Sequence, residues 1–174
     1  NDTHLALAIP EMMRLLIDIE NYSWNDAWDI TIHVFNYTNH TLMSEALEKW
    51  PVSLFEKMLP RHLEIIYKIN FYMLRNISTR YINDTERIAR MSLIQEQPEK
   101  MVRMSYLCVA ASEHVNGVAA LHTELLKNGL FHDFHEFFPE KFINVTNGIT
   151  PRRWLKKANP RLASLIDSKI GSEW

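Results

Sequence analysis

Apolar residues return at three- and four-residue steps along most of this 174-residue chain, the period of helices that bury one face. Ala6, Ile9, Met13, Leu16 and Ile17 keep that step from the polar opening Asn1-Asp2-Thr3-His4 to near Glu20, and Pro10 fits only in a first turn. Ser23 followed by Asp26 has the spacing of a capping pair, and Trp24, Ala27, Trp28, Thr31, Val34 and Phe35 form the stripe of a second helix. The pattern breaks at Tyr37-Thr38-Asn39-His40-Thr41 and resumes from Ser44, where Glu45 and Glu48 share a helical face until Trp50-Pro51 ends the turn. Val52 to Leu59 predicts a short helix. Pro60 to about Tyr81 predicts a long one, with Pro60 as its first residue and Leu63, Ile66, Tyr67, Ile69 and Leu74 facing inward.

Further on, Asn83-Asp84-Thr85 can cap another turn through Ile88. Val102 to Ala111 is the best strand candidate, because Met104, Tyr106, Cys108 and Ala110 alternate in part with Arg103, Ser105 and Leu107. Val115 to Lys127 reads as helix ended by Asn128-Gly129, and Phe131 to Phe142 as an aromatic, irregular stretch. Asn147-Gly148 signals a turn, Pro151 starts a helix through Lys157, and Pro160 to Lys169 forms the last one. The expected structure is mainly α with one or two short strands.

Composition then narrows the class. A hydrophobic fraction of 47% over 174 residues supplies the core of one full domain. The 19 basic and 21 acidic residues nearly cancel, so neither general nucleic-acid binding nor an acidic tail is implied. Four glycines and the single cysteine Cys108 argue against a disulfide scaffold or a cysteine-based zinc site and suit a reducing compartment, with the cytoplasm as the expected location. No stretch reaches the roughly 18 apolar residues of a membrane span, and no signal segment opens the chain. A start at Asn1 without methionine fits an excised piece.

Against this background the 37–41 stretch has no structural task of its own, and polar groups held on an ordered loop are well placed for binding. Several blocks give that stretch a context. NDTH at 1–4, LAIPE at 7–11, YTNHT at 37–41, EALEKWP at 45–51, LPRHLEIIYKIN at 59–70, RMSLI at 90–94, VNGVA at 115–119 and TNGITPRRW at 146–154 occur in one order across nearly the whole chain. Together they resemble the glycogen and starch (α-glucan) phosphorylases. The resemblance implies a fragment, about one fifth of a longer two-domain α/β enzyme of the glycosyltransferase-B (Rossmann-like) type. Residues 1–145 would be the C-terminal part of its N-terminal domain, and 146–174 the inter-domain crossover and the start of the C-terminal domain.

For function, the resemblance implies cleavage of a terminal α-1,4-linked glucose by inorganic phosphate, giving glucose 1-phosphate with retention. It makes His40 the catalytic candidate: its side chain would contact the sugar 6-hydroxyl and its main-chain carbonyl would lie near the reacting centre. Asn39 and Thr41 flank it as substrate-binding candidates, Asn147 would hydrogen-bond the sugar, and Asp2 and His4 would line the pocket beside the anomeric carbon. Glu48, with Glu45 before it, would line the same channel. A mixed set of Asn, His and Asp suits hydroxyls that both donate and accept. The family's cofactor is pyridoxal 5′-phosphate, held by a lysine in a glycine-rich segment that nothing here resembles, so no cofactor-binding residue is expected in this chain and the fragment alone is expected to be inactive. Implied partners are the glucan, phosphate and the rest of the polypeptide, in a homodimeric parent.

Other readings compete. Taken alone, Glu45 and Glu48 project from one helical face, which does not suit a glycosidase pair flanking a bond. Arg152 and Arg153 are more simply solvated first-turn residues than a phosphate site. His132 and Asp133 with His135 could serve a metal-dependent hydrolase, though polar groups at the surface between Phe131, Phe134, Phe137 and Phe138 are the plainer account. A helical interaction module is the non-enzymatic alternative. Asn76-Ile77-Ser78 is a glycosylation triplet relevant only to a secreted chain. Departures from the family pattern fall at Leu5 and Ser44, where proline is usual, and at Ala111-Ser112-Glu113-His114, which replaces Gly-Ser-His-Ala and leaves His114 outside the candidate set.

Overall fold

A computed structural model describes residues 2–174. Its N-terminal part is helical, as the periodicity demands. Helix α1 (Ala8–Arg14) continues as a π-helical turn over Leu15–Ile19, and α2 (Trp24–Val34) starts at Ser23, whose hydroxyl accepts from Asp26 N and donates to the Asp26 carboxylate. The α2 stripe is narrower than expected. Ala27 and Thr31 are fully buried, whereas Val34, at the last turn, is 54% exposed. After strand β1 (Tyr37–Thr38), a 3₁₀ turn at Ser44–Ala46 and strand β2 (Lys49–Pro51) replace the helical turn expected there. Glu45 and Glu48 therefore do not share a helical face. Lys49, Trp50 and Pro51 pair instead with Arg103, Val102 and Met101, a long-range bond set that local spacing cannot announce.

Helix α3 (Val52–Met58) leads into α4 (Pro60–Arg80), which begins at Pro60 as expected, since a first-turn proline has no N–H to waste. Leu63, Ile65, Ile66, Ile69, Met73 and Ile77 of α4 are buried, and the helix packs on α1, α3 and α5 (Thr85–Met91). Asp84 caps α5 by accepting from Arg87 N.

The second half departs most from expectation. Strand β3 (Ile94–Gln95) and β4 (Met101–Arg103) complete an antiparallel sheet of order β2-β4-β3. The strand expected over Val102–Ala111 is real only at its start, because Met104–Ala111 is helix α6. Seven of the eight α6 residues are buried, so the helix lacks a polar face and its apolar run carries no period that distinguishes it from a buried strand. Likewise Val115–Gly117 is strand β5; the helix expected from Val115 begins only at α7 (Ala120–Leu125). Asn128-Gly129 does not end that helix but lies inside a π-helical turn, Leu126–Leu130. The aromatic stretch expected to be irregular forms α8 (His132–Phe137), a 3₁₀ turn and β6 (Phe142–Asn144). Helices α9 (Pro151–Ala158) and α10 (Pro160–Ile170) follow as predicted and pack on each other.

The described residues thus hold six short strands in two three-stranded sheets, more than the one or two expected, within a mainly helical chain. The other sheet, of order β1-β5-β6, is wholly parallel, the arrangement of an α/β unit. Tyr37, Val115 and Phe142 sit side by side in register and are all buried, with Phe131 edge-on to Tyr37 at 6.4 Å. No described helix is long and apolar enough to cross a membrane.

Lys141 lies half-buried against this core. Its ammonium donates to the carbonyls of Val109 and Ala110 at 3.0 Å each, at the C-terminal end of α6, and lies 4.3 Å from the Phe138 ring centroid. Burial pushes its amine down to about 8. An unfolded lysine titrates near 10.4, so between those values the unfolded chain binds more protons and stability rises with pH. The stability of the native sequence relative to Lys141→Met should therefore increase from pH 8 to 10, by up to ~1.4 kcal/mol per pH unit. Urea unfolding at the two pH values checks this; a constant difference would contradict it.

Candidate functional site

In sheets of parallel strands, ligands bind beyond the carboxyl ends of the strands, where loops diverge and main-chain groups lose their ladder partners. At that end of the β1-β5-β6 sheet, β1 runs out into Asn39-His40-Thr41, β5 into Val118 and β6 into Val145-Thr146-Asn147. The ladder continues briefly beyond the strands: Asn39 N donates to Asn116 O at 3.0 Å, Val145 N to Gly117 O at 3.1 Å and Asn147 N to Val118 O at 3.0 Å. These bonds bring His40 and Asn147 to the same end of the same sheet from positions more than a hundred residues apart. Both are exposed there.

The N-terminal residues join the sheet from its other side. Asp2 N donates to Thr38 O at 3.0 Å, adding a contact to the outer edge of β1, and the Asp2 carboxylate accepts from Thr3 N at 2.6 Å with Asp2 at a positive φ of 59°. Thr3, buried, donates through Oγ1 to Glu48 at 2.7 Å, and the second Glu48 oxygen accepts from the Trp50 indole at 2.9 Å. Glu48 is thereby fixed between the N-terminal turn and Trp50, although the helix expected around it is absent. His4 lies exposed on the 3₁₀ turn Thr3–Leu5. Thr38 and Asn116 are joined across β1 and β5 by a side-chain bond of 2.7 Å.

Asn39 differs from its neighbours in being fully buried, whereas Thr41 is half-buried and Glu45 exposed. Below the shelf, burial raises the Tyr37 phenol above its ordinary range and pushes the Cys108 thiol up to about 12, with Asp2 adding to both, so both groups are neutral at pH 7. Thr3 and Asn116 were not picked out as site residues from the sequence. Asn116 belongs to the VNGVA block, but its partner Thr38 lies 78 residues away and only the fold reveals the pair.

The metal alternative does not assemble as expected. His135 turns toward Phe142, edge-on at 5.6 Å, while Glu136 takes its place beside His132 and Asp133. Those carboxylates already have cations: Asp133 accepts from Arg90 at 2.7 Å, and Glu136 lies 2.7 Å from Arg87. Arg90 holds the Asp133 carboxyl below its ordinary range. A metal ion there would have to displace or oppose two guanidinium groups. Arg152 and Arg153 are exposed on the first turn of α9.

The sequence pattern of the family described as carbohydrate phosphorylase matches residues 1–174. The chain belongs to the carbohydrate phosphorylase family. It is 55% identical over 174 residues to a glycogen phosphorylase of Synechocystis, 57% to one of Pasteurella multocida and 52% to the muscle form of Homo sapiens, each alignment covering 100% of this chain. It spans only 20 to 21% of the length of those relatives. Within a phosphorylase-family chain, the parallel sheet and the shelf at its carboxyl ends form a piece of an α/β architecture; Asp2 and Asn147 bond to it through their main-chain N–H groups, His40 follows Asn39 onto it, and Glu48 reaches it only by way of Thr3.

Proposed function

We propose that this chain is one part of a longer α-glucan phosphorylase, a glycosyltransferase that uses inorganic phosphate to release terminal α-1,4-linked glucose as glucose 1-phosphate with retention, and that it supplies one wall of the glucose site. The observation supporting this most directly is the convergence of His40 and Asn147, with Asp2 tied alongside, at the carboxyl end of a parallel sheet in a chain of this family. The boundary near residue 145 is proposed as the passage from one Rossmann-like domain to the next.

In this proposal the His40 imidazole meets the sugar 6-hydroxyl, Asn147 hydrogen-bonds the ring, Asp2 and His4 border the anomeric carbon, and Glu48 lines the approach. Positive charge grows on the sugar ring as the glycosidic bond breaks. A fixed carbonyl dipole at His40 would oppose that charge without taking up a proton. Glucan and phosphate are the proposed partners, with the remaining polypeptide and a second subunit; neither nucleic acid nor a membrane is invoked, and the cytoplasm is the proposed location.

Pyridoxal 5′-phosphate is proposed as the parent's cofactor, supplying phosphate and proton chemistry when bound. The residues of this chain do not fit it. The four glycines, at 117, 129, 148 and 171, are too widely spaced for a phosphate loop, and the half-buried Lys141 is committed to two carbonyls. The chain alone should therefore release no glucose 1-phosphate from glycogen.

Amide NMR tests the proposal. Titration with glucose or maltoheptaose should shift resonances at His40, Thr41 and Asn147, weakly because half the pocket is missing. Zinc-induced shifts confined to 132–136 would support a metal site instead, and silence to both would favour a helical scaffold.

A further inference from the structure

Asn39 lies beside the catalytic candidate yet has no access to any ligand. It is fully buried, and its polar groups have partners within the fold: N donates to Asn116 O at 3.0 Å, Oδ1 accepts from Thr41 N at 3.0 Å, and Nδ2 donates to the Tyr37 hydroxyl at 3.1 Å. We propose that Asn39 is a positioning residue whose side-chain turn, anchored on Tyr37, aims the main-chain carbonyl of His40 out of the core and onto the shelf. What that carbonyl does there rests on the sugar-site proposal above; the aiming rests on the bonds themselves.

The argument is one of peptide geometry. Thr41 N and His40 O belong to one peptide unit, and in a trans peptide the N–H and the C=O point in opposite directions. Because the Thr41 N–H turns inward to Asn39 Oδ1, the His40 carbonyl must turn away from the core. An Asn accepting from the N–H two residues on is a standard local turn, but here the amide is not free to wander. Its own backbone is tied to β5, and its Nδ2 is held by a phenol that is 1% exposed and braced edge-on by Phe131. Losing the phenol would leave a buried Nδ2 without an acceptor, which loosens the whole turn. Burial raises the phenol above its ordinary range, so the anchor stays protonated at neutral pH and can donate as well as accept.

That dual capacity supplies the test. In the full-length enzyme, Asn39→Ala should lower kcat about tenfold or more while KM for the glucan stays within about twofold. Asn39→Asp should recover most of the loss, because one oxygen still accepts from Thr41 N–H and the other accepts from the Tyr37 hydroxyl, which reverses to donate. Adding Tyr37→Phe should abolish that recovery, since no donor remains for the second oxygen. A rise in KM with kcat intact would make Asn39 a substrate contact and overturn the proposal, as would Asn39→Asp performing no better than Asn39→Ala. The Asn39→Asp and Tyr37→Phe changes conserve volume, so they carry the test if Asn39→Ala does not fold.

A second measurement separates this proposal from the function it serves. In the chain itself, hydrogen exchange at the Thr41 amide should quicken about tenfold in Asn39→Ala and remain slow in Asn39→Asp, with the α4 amides unchanged. If the unaltered enzyme released no glucose 1-phosphate, the sugar-site proposal would fail while the Thr41 exchange still judged the turn. Unchanged exchange in Asn39→Ala would overturn the turn itself.

Discussion

His40→Ala in the full-length enzyme is expected to reduce phosphorolysis by about tenfold to a hundredfold, with folding intact. The imidazole is exposed at the end of β1, so its removal leaves no cavity in the core and the Asn39 turn keeps its bonds. On the sugar-site proposal, the substitution removes a hydrogen bond to a sugar hydroxyl, which would stay desolvated and unpaired in the closed pocket at a cost of about 1–3 kcal/mol. The effect should appear in kcat/KM for glycogen, and far less in thermal melting. Turnover at the native rate would remove His40 from the site.

Gly117→Ala is expected to be the most damaging small change in the sheet. A Cβ at position 117 would overlap the Thr123 hydroxyl and lie 2.9 Å from both the Cα and the N of Thr123. The hydroxyl is not free to rotate, because it shares its one proton between Ala119 O and Asn144 Oδ1 and so ties α7 to β6. The backbone of α7 cannot yield without lifting off the sheet. Overpacking of this kind costs about 1–3 kcal/mol, which for a chain of this size lowers Tm by about 3–10 °C. Circular dichroism melts check it, and an unchanged Tm would mean that α7 is less firmly seated than its contacts imply. The same lift would move Val118, from which Asn147 hangs, so weaker sugar binding should accompany the lower Tm.

Where the sequence carried local signals, the fold was legible. Ser23 with Asp26, Asp84 before Thr85, and prolines at positions 60, 151 and 160 marked real helix starts, because caps and first-turn prolines act through neighbouring atoms. Strands two or three residues long were not legible. The pairings of Tyr37 with Val115 and of Trp50 with Val102 exist only when distant segments meet, and α6, buried on every side, had no polar face to betray its period. The candidate site shows the same division. The blocks around His40 and Asn147 pointed to family and location, but the inward turn of Asn39, the Thr3 bond to Glu48 and the Thr38 bond to Asn116 depend on contacts across 2 to 78 positions and on burial, which a string of letters does not contain.

The pairing of β1 with β5 also bears on how this molecule comes together. Joining Tyr37 to Val115 closes a loop of 78 positions that encloses α3, α4, α5 and α6. Loop closure on that scale is entropically costly until the enclosed segment has shortened itself into helices and an antiparallel sheet. The helical block should therefore condense early and the parallel ladder late, which makes the shelf carrying His40 a late product of folding. Any ligand that grips the shelf would act on the last step of assembly, holding closed a seam that every earlier stage leaves open.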